Sequence, residues 1–463
     1  MKTILQVHTL VLIYAVVVLV ALATWIAPGG EYRRDVVDGR TLVVANSFTF
    51  VDADPQGVGD VLMAPVRGFI QAAQIIAFLF VIGGAFKALE KTGAVAVSIR
   101  SLGLTFARKP HLQRYFIHVT MTIFSLGGAV FGMCEETMPF VLVFIPLALS
   151  LGYDSLVGTA IPFLGAAAGF AGSVFNPFTV GIAQGIAELP LYSGMEYRIV
   201  IWVVSTVSMV TFVMMHASKV RKNPEASPVY QIDRERKHAF HLDAGEAGMF
   251  SRPQKWVLAL VVGTILLLVF GILQFRWYIN EIAALFLGLG IAGGLAGRLS
   301  LNTLAEAFKE GARDMMGVAL IIGCARGILV VASDGKVLDV MLYSLASVIT
   351  NLHPVFAAQA MFVTQGIINF FVHSGSGQAA LTMPVMAPLA DVVGLSRQTA
   401  VLAFQFGEGW INPILPTSGV TMGVLGLAGI SWDRWFRWML PVQIYFFALA
   451  LLLLVPAVLL GYH

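Results

Sequence analysis

Long apolar runs, interrupted by short polar stretches, dominate this chain. Crossing a bilayer as a helix takes roughly 17–25 such residues. Runs of that kind lie at about 8–27, 70–90, 154–190, 198–217, 255–275, 278–297, 314–332, 396–428 and 434–460. Two of them, 154–190 and 396–428, are broken by Asn176-Pro177 and Asn412-Pro413. Proline removes a backbone donor and disfavours helix at the residue before it. Four further runs are shorter. Residues 115–131 and 138–151 flank Glu135-Glu136, and residues 355–371 and 380–394 flank Ser374–Gln378. Short arms around a polar tip predict re-entrant helical hairpins, at about 115–151 and 355–394. Non-helical backbone survives at membrane depth only where protein shelters it or where it lines a cavity.

The polar interruptions recur. Gly132-Met133-Cys134-Glu135-Glu136-Thr137-Met138-Pro139 and Gly172-Ser173-Val174-Phe175-Asn176-Pro177-Phe178-Thr179 stand in the first half. His373-Ser374-Gly375-Ser376-Gly377-Gln378, Thr382-Met383-Pro384, Gly407-Glu408-Gly409-Trp410-Ile411-Asn412-Pro413 and Thr417-Ser418-Gly419 stand in the second. Ile82-Gly83-Gly84-Ala85 likewise matches Ile322-Gly323-Cys324-Ala325. Segments 94–108 and 336–349 follow equivalent helix ends and read as amphipathic connectors near the interface. Five crossings separate the two hairpins, an odd number, so they enter from opposite faces. The expected organisation is a first inverted repeat at 1–217, a cytoplasmic linker at 218–254 and a second repeat at 255–463. Broken, Gly- and Pro-interrupted helices at corresponding places in two halves point to the binding site of a secondary transporter.

Charge orients the chain. Residues 87–114 and 218–255 are rich in Lys and Arg, whereas 28–57 carries Glu31, Asp35, Asp38, Asp52 and Asp54. The positive-inside rule puts the first two segments in the cytoplasm and the third outside. The N-terminus is then cytoplasmic and the C-terminus outside, in the inner membrane of a bacterium. Trp25, Trp202, Trp256, Trp277, Trp432, Trp435 and Trp438 fall at span ends, as an interfacial belt requires. Gly290, Gly293, Gly294 and Gly297 suit close helix packing.

Composition agrees and excludes other classes. Hydrophobic residues make 58% of 463 and charged ones 12%, about half the share in soluble domains. A net charge of +3 does not suggest a nucleic-acid partner. Cys134 and Cys324 make neither a disulfide framework nor a structural metal site. The chain has no P-loop, H-E-x-x-H or G-x-S-x-G string, so ATP-driven pumping and the usual membrane enzymes are not expected. Ala21-Leu22-Ala23 resembles a signal cleavage site, but the first run reads better as a retained helix.

The candidate site residues lie at the interruptions. Helix starts leave unpaired N–H groups and partial positive charge, which attract a substrate carboxylate. Thr137 and Thr382, each before a Met-Pro pair, are read as N-caps. Substrate contact is assigned to Glu135, Glu136, Thr137, Ser173, Asn176, Thr179, Ser374, Gly375, Ser376, Gly377, Gln378, Thr382, Asn412, Thr417 and Ser418. Ion coupling, by Na+ or H+, is assigned to Glu136, Asn176, Glu408 and Asn412, since ionisable residues at membrane depth are costly and functional by default. Those acids equally suit an amino or guanidinium group on the substrate, or a purely structural role at a helix start. Arg326 and His373 are secondary candidates, as counter-charge and as proton relay, against a structural helix lock and a satisfied histidine. Gln184, Asn369 and Gln405 are explained by interhelical hydrogen bonds.

Gly132–Pro139, Gly152-Tyr153-Asp154-Ser155-Leu156-Val157-Gly158, Gly169–Gln184, Ser374–Pro384 and Thr417–Gly426 resemble the YfcC-type branch of the C4-dicarboxylate anaerobic carrier (DcuC-like) family, in the ion transporter superfamily. That resemblance spans nearly the whole chain. It implies an inverted-repeat fold, a homodimer built on scaffold domains and elevator-type movement of a transport domain. In related carriers, Ser-Asn-Thr hairpin tips bind Na+ and a substrate carboxylate. This chain has Cys134-Glu135-Glu136-Thr137 and Ser374-Gly375-Ser376-Gly377 instead. Members of the branch are also described as basic amino acid antiporters, which tip acids would suit.

The reading is therefore an all-α polytopic transporter without cofactor. It moves a small carboxylate-bearing metabolite, a C4-dicarboxylate or an amino acid, by Na+ or H+ coupling or by exchange. A basic amino acid antiporter is the alternative within carriers; a channel and a membrane-embedded enzyme are the alternatives outside them.

Overall fold

The computed structural model describes residues 9–462 except 38–39, 45, 96, 98–109, 243–250, 276 and 278. Most of that chain is helical. The first half runs α1 (Thr9–Ala23), α2 (Val58–Gln71), α3 (Ala73–Lys91), α4 (Pro110–Phe131), α5 (Met138–Ser150), α6 (Ser155–Gly172), α7 (Val180–Ile186) and α8 (Met195–Lys222). Helices α9 (Tyr230–Leu242) and α10 (Arg252–Phe275) follow. The second half runs α11 (Ile279–Ala296), α12 (Leu301–Asp314), α13 (Met316–Asp334), α14 (Val337–Ile349), α15 (Pro354–Phe371), α16 (Gly375–Val392), α17 (Arg397–Gly409), α18 (Gly419–Ala428) and α19 (Trp432–Leu459). Among the described residues, eight helical segments are long and apolar enough to cross a membrane, with the α17–α18 unit taken as one.

Element lengths recur between the halves. Helices α2 and α12 are both 14 residues, α3 and α13 both 19, and α8 and α19 both 28. Packing is reciprocal as well: α1 and α2 pack on α13, while α11 and α12 pack on α3. The same device makes both contacts. A Cβ at Gly68 would strike Gly323 O, and one at Gly311 would strike Gly83 O, so the paired helix backbones touch. Gly290 and Gly293 hold α11 against Ala85 and Leu89 of α3, and Gly297, just past α11, meets Thr92, just past α3, as the small-residue spacing predicts.

A pair of helices flanks each polar tip, α4 and α5 at the first and α15 and α16 at the second, with two corrections to the expected caps. Thr137 is not a side-chain cap. It ends a 3₁₀ turn, Glu135–Thr137, and its hydroxyl donates back to Cys134 O at 2.6 Å. Thr382 is not a helix start either. Ser374 caps α16, accepting from Gly377 N at 3.2 Å, so Thr382 lies two turns inside the helix. Pro384 accordingly lies inside the helix, and Thr382 Oγ1 donates back to Gln378 O at 2.9 Å. The pattern also misses α2 and α12, which are amphipathic and carry charges such as Asp60, Arg67, Lys309 and Glu310. Connector 336–349 is the helix α14; connector 94–108 falls mostly outside the described residues.

The exception to an all-helical chain is the acidic segment. Strands β1 (Gly29–Glu31) and β4 (Thr49–Val51) pair antiparallel, as do β2 (Arg34–Val37) and β3 (Arg40–Val43). This small unit is fastened to α14. Asp339 accepts from Tyr32 N at 2.9 Å and from Arg34 Nη2 at 2.7 Å, and Phe48 stacks on Tyr343 with centroids 4.1 Å apart. Burial, with Asp339 nearby, pushes the Tyr32 hydroxyl up to about 12.

At another face, α9 closes over two helix ends. Buried Asp233 accepts from Ser155 N, at the start of α6, at 2.8 Å. Arg236 donates to Ala428 O at the end of α18. Asp154 caps α6 through Val157 N and also meets His216 Nε2 at 2.8 Å and Ser227 Oγ at 2.7 Å. The linker is thus bolted to both broken-helix units.

Candidate functional site

The first break shows why Asn-Pro ends a helix here. Helix α6 stops at Ser173, which takes φ 45°. Asn176 Oδ1 then accepts from Phe178 N at 2.9 Å and Thr179 N at 3.3 Å, a local turn that competes with helix. Ser173 Oγ meets Thr179 Oγ1 at 3.1 Å. The freed segment leans on the first hairpin, with Phe175 N donating to Ala129 O at 2.9 Å. Gly132 at the first tip has φ +71°, and a Cβ there would overlap the Asn176 amide. Only glycine fits both demands, so the first tip and the first break are joined at one point.

The first tip folds on itself. Glu136 Oε2 accepts from Cys134 N at 2.8 Å, and Glu136 and Thr137 are buried. Glu135 is half-buried beside them and lies within electrostatic range of Glu408.

The second tip and second break are built from amides. Asn412 Nδ2 donates to Glu408 Oε1 at 2.8 Å. Asn369 Nδ2 lies 3.2 Å from Asn412 Oδ1, 3.3 Å from Gly407 O and 3.4 Å from Glu408 O. Thr421 Oγ1 donates to Asn412 O at 2.7 Å, and Ser418 Oγ caps α18 through Thr421 N at 3.3 Å. His373 Nε2 contacts Thr417 Oγ1. Ser374 is exposed, and Gly375, Ser376 and Gly377 are half-buried; Ser374 Oγ lies 3.3 Å from Ser376 Oγ. Gln378 turns away, its Nε2 donating to Gln365 O at 2.9 Å and Oε1 at 2.8 Å. Thr382 Oγ1 joins the same knot at Gln365 Oε1, 3.1 Å away.

One residue ties the parts together. A Cβ at Gly375 would meet Thr179 of the first break and Glu408 Oε1 of the second. The second tip therefore rests on both breaks. The breaks also meet each other: Gln405 Nε2 donates to Phe170 O at 2.7 Å, and a Cβ at Gly409 would press on Ala171. Several buried polar atoms here have no hydrogen-bond partner among the described residues: Asn176 Nδ2, Asn369 Oδ1, Gln378 Oε1, Gln405 Oε1 and Glu408 Oε2. Buried polar atoms are normally satisfied, and exceptions concentrate where something else binds.

The predicted residues do not all converge. Glu408, Asn412, Thr179, Gly375 and the first-tip acids share one locus. Thr382 and Gln378 belong to a knot behind it. Arg326 is half-buried on α13, within electrostatic range of His373, and forms no ion pair with Glu136. Asn369 is more than the interhelical contact anticipated for it, because it holds the second break from three sides. Gln365, one turn earlier on α15, was not singled out. Its signal is the pair Gln365 and Asn369 on one face of an apolar helix.

Two interrupted helices meet two polar tips inside this apolar helical protein, and its relatives make it a multi-pass membrane transporter, not an enzyme. The C4-dicarboxylate anaerobic carrier family model (DcuC) matches residues 7–459, and the chain belongs to that family. It is 37% identical, over 98% of its length and 97% of the relative's, to the "Putative basic amino acid antiporter YfcC" of Escherichia coli strain K12. It is 29% identical to an uncharacterised protein of Haemophilus influenzae, over 82% of this chain and 74% of that one. Among solved structures it is similar to the YdaH transporter of Alcanivorax borkumensis, with TM-score 0.42, 17% identity and coverage of 97% and 98%. MtrF of Neisseria gonorrhoeae gives TM-score 0.42, 17% identity and coverage of 98% and 96%. At those scores neither structure bears on the roles of residues here.

Proposed function

We propose that this protein is a secondary carrier that exchanges amino acids bearing a cationic side chain. One observation carries the reading. Glu136 and Glu408 are buried carboxylates around the junction of tips and breaks, and neither has an ion-pair partner among the described residues. Buried carboxylates demand positive charge or protons. A guanidinium or ammonium group meets that demand, and the capped helix starts at Ser374 and Ser418 suit the α-carboxylate of the same molecule. Between exchanges, H+ neutralises the acids; Na+ is the other candidate, with Asn369 Oδ1 and Glu408 Oε2 as available oxygens. The relative's printed name points the same way. A C4-dicarboxylate is the second reading, favoured by the presence of two capped helix starts for two carboxylates.

The recurring element lengths and reciprocal packing support an inverted repeat of the halves 1–217 and 255–463, in which α2, α3 and α8 correspond to α12, α13 and α19 and α10 is the extra crossing. Loops that the crossing parity puts on one side also touch one another. The β unit meets α14, α9 meets the starts and ends of the broken helices, and Tyr462 OH donates to Gly194 O at 2.7 Å. With the basic linker inside, the N-terminus is cytoplasmic and the C-terminus outside, in a bacterial inner membrane. Elevator movement of the unit containing tips and breaks, in a homodimer, completes the proposal.

Counterflow in proteoliposomes tests it. Arginine, lysine or ornithine inside should drive uptake of labelled arginine, and Glu408→Gln should reduce it at least tenfold in well-folded protein. Counterflow by dicarboxylates alone, unchanged in Glu408→Gln, would replace this reading with the second.

A further inference from the structure

A cavity of about 620 Å³ opens between the end of α8 and the start of α19, far in sequence from the tips. Its cations are Lys219 from α8 and Arg434 and Arg437 from α19. Asp433 pairs only with Arg437, at 3.5 Å. Lys219 and Arg434 make no ion pair among the described residues. Arg434 also sits in the first turn of a 28-residue helix, whose N-terminus adds partial positive charge. The wall is aromatic: Trp438 lies 4.9 Å from Phe212 and 5.2 Å from the His216 ring, centroid to centroid.

The lining itself includes apolar Phe212, Met215, Trp438 and Pro441. Met215 and Ile444 are 68% and 63% exposed on the faces of the same two helices. At Lys219, Arg221 and Lys222 the apolar run of α8 ends abruptly in charge. A cationic cleft at that boundary, continuous with helix faces of lipid-exposed character, matches the depth of a headgroup and the run of its acyl chains. Free phosphate would use the cations and leave the apolar lining unused.

We propose that this cavity binds the phosphate of an anionic phospholipid, with its acyl chains laid along α8 and α19. His216, in the wall, also holds Asp154 at the start of α6, so the bound headgroup lies one side chain from the cap of a broken helix.

The test uses full-length protein in phosphatidylcholine nanodiscs with graded phosphatidylglycerol, read by thermal shift and by native mass spectrometry of retained lipid. Phosphatidylglycerol should raise Tm and leave a bound adduct, and inorganic phosphate in neutral discs should do neither. Lys219→Gln/Arg434→Gln should weaken adduct retention at least tenfold, whereas Lys309→Gln on α12 should not. Equal retention in the double variant and wild type would overturn the site. Phosphate alone reproducing the Tm rise would overturn the lipid as its source. Should the double variant melt early in neutral discs, Lys219→Gln alone should still cost at least threefold, and no loss would overturn the proposal.

Discussion

The two polar tips each join a pair of helices but solve different problems. The first closes a 3₁₀ turn around its own carboxylate and buries it. The second opens directly into a regular helix capped by an exposed serine. One tip supplies negative charge beneath protein; the other supplies a helix N-terminus and neutral hydroxyls near the surface. Each tip joins two helices, whereas their chemistry differs.

Substitutions can break that comparison. The largest effect is expected at the point where the second tip touches both breaks. Gly375→Val, measured as counterflow in protein of normal melting temperature, should lose transport nearly completely, because its branched side chain has no room beside Thr179 and Glu408. Next comes the joint of first tip and first break. Gly132→Ala forces an alanine to φ +71° against Asn176, and should destabilise by about 1–3 kcal/mol, read as a lowered Tm. Capping sharpens the contrast. Ser374→Ala removes a side-chain cap and should cost about 1 kcal/mol, read as a lowered Tm. An unchanged Tm would mean that Ser374 does not cap the second tip.

The smallest effect concerns the linker. Burial raises the Asp233 carboxyl above its ordinary range, the Ser155 N–H bond opposes that, and Asp154 adds to it. A raised folded value means stability present at low pH and lost as pH rises through that value. Asp233→Asn should therefore flatten the dependence of Tm on pH above about 4, the ordinary carboxylate value; an unchanged slope would show that the charge is compensated.

The polar tips between apolar runs and the broken spans were legible because they rest on local physics. Apolar run length, Pro chemistry and polar tips need no partner to be read. The amphipathic α2 and α12 were not legible, since their charged positions dilute the apolar signal that marks a span. Thr137 and Thr382 misled for a related reason. A Thr-Met-Pro string fits a helix start, but whether a cap forms depends on which carbonyls the hydroxyl can reach once the chain is packed.

Sequence alone determined that this is a polytopic membrane protein with two interrupted units, because hydrophobicity and proline act over a few residues. Only the tertiary structure decided that Gly375 meets Thr179 and Glu408, that Asn369 and Gln365 brace the second unit, and that Lys219 and Arg434 face one cavity. Those contacts join residues far apart in the chain. Helix packing, which follows small residues and shape complementarity across elements, sets them.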